Sequence, residues 1–138
     1  SAAGLNYIFK SLDLIPDGIE DLGYLDDAFV LRVAAARACA ECDDADEKAP
    51  KVARLAKDTG LISELLEDDY ARLEAFVDGL RGGAARGRSV DDIVGDASIR
   101  EDFLNEVGGW ATSYEAPSFN RDEKTLVKLK SFLRTKLP

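Results

Sequence analysis

The chain has 138 residues, of which 18 are basic and 27 acidic, so its net charge is −9; it contains no His, no Met and two Cys. The negative field opposes general nucleic-acid binding, which relies on neutralising phosphates, and opposes anionic membrane surfaces in the same way. Without imidazole there is no Ser–His or Cys–His nucleophile and no His metal ligand, which removes many enzyme classes at once.

A chain of this length can build one hydrophobic core without a disulfide or a metal, so a single domain over residues 1–138 is expected. Its longest uncharged run, residues 1–9, falls far short of the roughly 18–20 apolar residues that span a bilayer. A water-soluble, cytoplasmic protein is therefore expected, with two cysteines compatible with a reducing compartment. The absence of an initiator Met before Ser1 is compatible with a trimmed upstream segment.

In chain order, Leu5, Ile8, Phe9 and Leu12 recur at helical spacing, and Pro16 biases Ile15 away from the helical region, so a first helix should end near residues 12–14. Ile15-Pro16-Asp17-Gly18 suits a type I turn, and Gly23 frees the backbone before a second helix from about Tyr24 to about Cys42. Leu25, Phe29, Val33 and Ala36 mark its apolar face, and its many alanines would let a neighbouring helix approach closely. Pro50 fits the first turn of a short third helix, about 49–58, that Gly60 could end.

Ile62, Leu65, Leu66, Leu73, Phe76, Val77 and Leu80 predict the longest amphipathic run, followed by a flexible GLRGGAARGRS connector. Ser89 with Asp92, and Ser98 with Glu101, resemble capping boxes that open a short helix and a longer one, the latter carrying Ile99, Phe103, Leu104 and Val107 before Gly108-Gly109. Asn120 with Glu123 suggests a cap for a C-terminal helix with Leu126, Leu129, Phe132, Leu133 and Leu137 on one face and Lys124, Lys128 and Lys136 opposite. No segment alternates as a strand would, so the expected class is all-α, a bundle of about six to seven helices with an N-terminal helix–elbow–helix.

The elbow, residues 13–27, holds six carboxylates and no basic residue. Asp13, Asp17, Asp26 and Asp27 could converge there and offer oxygens to magnesium or calcium. In the competing structural reading, Asp26 and Asp27 complement a helix N-terminus, Asp13 accepts a backbone N–H, and Pro16 and Gly23 shape the bend. The spacing does not match an EF-hand loop, no cofactor is expected, and the structural reading is preferred.

The same stretch resembles the YkvA-like family, a group defined by a short helical region of unknown function. Asp13, Pro16, Asp17, Gly23, Asp26 and Asp27 carry the resemblance, within the apolar frame Leu14, Ile15, Ile19, Leu22, Tyr24 and Leu25, and it covers about residues 3–40. It implies a helical region without established catalytic or cofactor residues, in a family with some members associated with membranes or fused to ubiquitin-ligase modules. Residues 48–138 form a helical remainder with no such resemblance. Gly18, Glu20 and Asp21 stand where the family often has apolar residues or a second Pro, which argues against membrane contact by this elbow.

Cys39 and Cys42 form a CxxC pair, but at the C-terminal end of a helix beside Glu41, Asp43, Asp44, Asp46 and Glu47, where both helix dipole and charge suppress the thiolate. No redox function is expected of them; small helical side chains are the favoured reading. GGAARGRS nearly satisfies a phosphate-loop pattern with Arg88 in the Lys position, yet a helix rather than a strand should precede it, so a basic connector is preferred. From Asn120 onward six basic residues face two acidic ones, a local surplus that could neutralise the elbow or the Glu41–Glu47 stretch.

The reading that follows is a non-catalytic structural or protein-interaction module, with a protein partner or self-association. Its rivals are a divalent-metal-dependent hydrolase using the acidic elbow and a peripheral membrane adaptor.

Overall fold

A computed structural model describes Gly4, Tyr7, residues 25–113 and residues 123–138. Over these residues the protein is all-α apart from one short hairpin. Gly4 and Tyr7 are helical. Then follow α1 (Leu25–Ala40), α2 (Ala45–Lys48), α3 (Pro50–Lys57), α4 (Thr59–Leu66), α5 (Asp69–Gly79), β1 (Ala84–Ala85), β2 (Arg88–Ser89), α6 (Val90–Gly95), α7 (Ala97–Ser113) and α8 (Glu123–Lys136).

α1 is the hub, packing on α3, α4 and α5. Val30, Val33 and Ala34 vanish into the main core with Ile62, Leu66, Leu73, Val77, Leu80, Leu129, Leu133 and Leu137, while Leu25 and Phe29 flank it partly buried. Each Val or Leu so buried contributes about 1.5–3 kcal/mol of apolar transfer, which holds these helices together where several are too short to stand alone. The alanines work as their size suggests: a Cβ added at Gly4 would lie 2.9 Å from the Cβ of Ala34, so the chain at Gly4 lies directly against α1.

α3 starts on Pro50, whose missing N–H costs nothing in a first turn. Gly60 does not end it, because the break falls at Asp58 and Gly60 lies within α4. The predicted continuous run after Ile62 is likewise interrupted: Glu67 adopts φ 52°, and α5 begins anew at Asp69. No Gly or Pro marks the site. Just beyond the break Asp69 turns inward, accepting from Arg72 Nη1 at 2.7 Å and from Arg134 Nε of α8 at 3.0 Å.

Arg72 also donates to main-chain oxygens of Arg134, in the last turn of α8, at 3.0 Å, and of Leu137 and Pro138 just beyond it, the latter at 3.3 Å. Arg134 of the C-terminal helix thus meets Asp69, and Lys130 meets Glu67 at 3.6 Å. Arg72 first, then Arg134, hold the Asp69 carboxyl below the usual carboxylate range. A depressed folded value means that the pair stabilises the protein above the unfolded pKa of about 3.9 and that this contribution is lost as pH falls through the lower folded value.

Asp69→Asn is accordingly expected to lower Tm at pH 7 by about 3–6 °C, equivalent to about 1–2 kcal/mol with the arginines partly exposed. The gap to the parent should narrow in thermal melts as pH falls below the ordinary carboxylate pKa of about 3.9. A gap that keeps its full size as pH falls through the carboxylate range would show that pairing is not its source.

The GGAARGRS connector carries a short hairpin. Ala84 pairs with Ser89 and Ala85 with Arg88 in an antiparallel hairpin, turned by Arg86 at φ 51° and Gly87 at φ 74°. Two consecutive left-handed residues match the twist of a two-residue hairpin, and Gly in the second place needs no Cβ relief. Arg86 and Arg88 both pair with Glu106 of α7. Ser89 and Asp92 form the expected capping box, at 3.0 Å in each direction. α7 starts earlier than Ser98: Asp96 Oδ1 accepts from the amides of Ser98 and Ile99 at 2.9 and 3.1 Å, and the helix runs through Gly108 and Gly109. Its stripe of Ile99, Phe103 and Val107 closes a second, smaller cluster with Ala85 and Ile93, while Leu104 points out at 54% exposure.

Candidate functional site

Asp26 and Asp27 occupy the first turn of α1, where unsatisfied amides and the helix dipole favour negative charge. They are nevertheless inside the protein, Asp26 at 0% and Asp27 at 7% exposure. A carboxylate removed from water must be hydrogen-bonded to persist. Tyr7 supplies one such bond, its hydroxyl donating to Asp26 Oδ2 at 2.8 Å. The tyrosine is itself 1% exposed, and its ring meets Phe76 of α5 edge-on, centroids 5.8 Å apart. One side chain thereby ties the N-terminal segment to the start of α1 through its polar end and to α5 through its ring.

Asp13, Asp17, Pro16 and Gly23 lie outside the described residues, and with them the convergence of the four elbow acids. Among the described residues, no three Asp, Glu or Cys side chains are placed to hold a metal. Arg32 and Arg37, the cations of α1 nearest in sequence, are engaged by other acids: Arg32 Nε meets Asp58 at 3.2 Å, and Arg37 meets Asp78 through two bonds of 2.9 and 2.6 Å. Neither pairing draws a guanidinium toward Asp26.

Tyr7 and Gly4 are not among the residues that hydropathy singles out in the first helix. Their signal is spacing, a small residue and an aromatic with a polar tip three positions apart, facing the same helix. Only the contact with Ala34 and Asp26 gives that spacing meaning.

Cys39 and Cys42 are free and half-buried. Cys42 Sγ donates to Asp44 Oδ1 at 3.2 Å, and that bond to a carboxylate pushes the thiol up. Both cysteines line one groove with Asp43, Asp46 and Lys57, between the end of α1 and α3.

Residues 1–32 match the model of a family described as "Protein of unknown function (DUF1232)". The matched segment contains Gly4, Tyr7, the elbow and Asp26 and agrees with the YkvA-like resemblance of the same stretch, although it is less than a quarter of the chain. No curated protein and no solved structure matches.

Proposed function

We propose that the chain is a non-catalytic helical module in which the N-terminal helix–elbow–helix serves as a rigid structural unit for protein contact. One observation carries this reading: Asp26, an acid of the elbow motif, is fully buried and held by the Tyr7 hydroxyl. A carboxylate that activates water or binds a substrate-bearing metal must reach a cleft, whereas one sealed under a tyrosine fixes the angle between two helices. In this reading the protein needs no cofactor, acts in the cytoplasm, and presents its surface to a protein partner or to another copy of itself. Val127, 67% exposed between Lys124, Lys128 and Ser131 on α8, supports an apolar contact on that surface.

Calorimetric titration with magnesium and with calcium is the test, run on the parent and on Asp17→Asn, which spares the buried pair. No heat is expected from either ion. Saturable heat in the parent that Asp17→Asn removes would replace this reading with a metal-dependent one.

A further inference from the structure

The bond to Asp44 disfavours the thiolate at Cys42, but whether the two sulfurs can meet is a separate matter of geometry. α1 ends by tightening: the amide of Glu41 bonds to the carbonyl of Ala38 at 3.3 Å and that of Cys42 to the carbonyl of Cys39 at 3.1 Å. Successive i→i+3 bonds are 3₁₀ geometry, in which residues three apart eclipse on one side and their Cα atoms stand about 6 Å apart. That separation falls inside the window of about 4.4–6.8 Å that a disulfide requires. The side chains agree with the backbone, since both cysteines line the same groove and both are partly open to solvent.

We propose that Cys39 and Cys42 form a reversible intramolecular disulfide that staples the end of α1 to the turn leading into α2. The oxidant is a low-molecular-weight disulfide of the glutathione type. One cysteine, as thiolate, attacks a sulfur of that disulfide and expels one thiolate; the second attacks the resulting mixed disulfide, forms the Cys39–Cys42 bond and expels the other. Two electrons pass to the oxidant, and the two protons shed by the cysteines end on the two released thiols.

Little opposes the closed state. Cys42 must give up Asp44, but that carboxylate keeps Lys48 at 2.7 Å and is left neither buried nor unpaired. Residues 41–44 lie outside helices α1 and α2, so the turn can adjust without breaking either. The acidic surroundings make formation slow, which sets the pair apart from an exchange catalyst.

The full-length chain is to be equilibrated in reduced and oxidised glutathione mixtures, quenched with iodoacetamide and weighed intact. The expected product has both thiols protected, is lighter than the dithiol by two hydrogens, migrates as a monomer without reductant, and outnumbers glutathione adducts by about tenfold, because a thiol held one turn away acts at a high effective concentration. Cys39→Ser and Cys42→Ser should each accumulate the adduct instead. A parent that remains doubly alkylated in fully oxidised buffer, or that yields adducts or linked dimers, would overturn the proposal.

Discussion

Tyr7→Ala is expected to cost about 3–5 kcal/mol and Tyr7→Phe about 1–3 kcal/mol in urea unfolding. The first figure is that of removing a large buried ring, here one that is 1% exposed and packed edge-on against Phe76. The second isolates the hydroxyl: its loss takes a 2.8 Å hydrogen bond from an acid with no access to water. A double-mutant cycle with Asp26→Asn separates the pair from its parts, and a coupling of about 1 kcal/mol or more is expected. Replacing both partners by apolar residues, Tyr7→Phe with Asp26→Leu, should be milder than Asp26→Leu alone, since no polar hydroxyl is then left facing an apolar neighbour. A neutral Tyr7→Phe would mean that the hydroxyl does not anchor the elbow, and the structural role given to Asp26 would fall with it.

Contacts close in sequence are legible in the amino-acid pattern, and contacts between distant segments are not. The pattern predicts a helix from about Tyr24 to about Cys42, and α1 runs from Leu25 to Ala40, because its apolar period and its alanines are properties of that segment alone. The same holds for the start of α3 at Pro50 and for the Ser89 cap. The break at Glu67 carries no Gly or Pro, and the ion pair that Asp69 makes just beyond it with Arg134 closes 65 residues later, out of reach of any local pattern. The hairpin leaves Gly87 as its local cue, because strands of two residues show no alternation, and Glu106, which pairs with Arg88, lies 18 residues further on. At the candidate site the sequence shows that acids concentrate around the bend. That Asp26 faces inward is decided by Tyr7, 19 residues upstream, whose class of side chain is intermediate between surface and core. Periodicity reports which face is apolar, and a buried carboxylate lies on that face only when something else brings it a donor.

The second cluster offers the sharper test of how cooperative this architecture is. Phe103, 1% exposed, is its largest member; Ala85 and Ile93 complete it, with Ile99 and Val107 at the margin. The Arg88 guanidinium lies 5.2 Å from the Phe103 centroid, so the ring also holds the hairpin that Arg86 and Arg88 tie to Glu106. Phe103→Ala should cost about 3–5 kcal/mol, which is more than so few apolar neighbours can absorb by closing the cavity. The loss should appear locally in native-state hydrogen exchange: amides of α6, α7 and the hairpin should lose protection by about a hundredfold or more, while those of α1 and α5 keep theirs. Leu73→Ala, a deletion in the main core where the residue is 0% exposed, should instead lower protection throughout. Equal loss across both clusters in Phe103→Ala would show that they unfold as one unit, and that the hairpin, α6 and α7 draw their stability from the main core rather than from the phenylalanine between them.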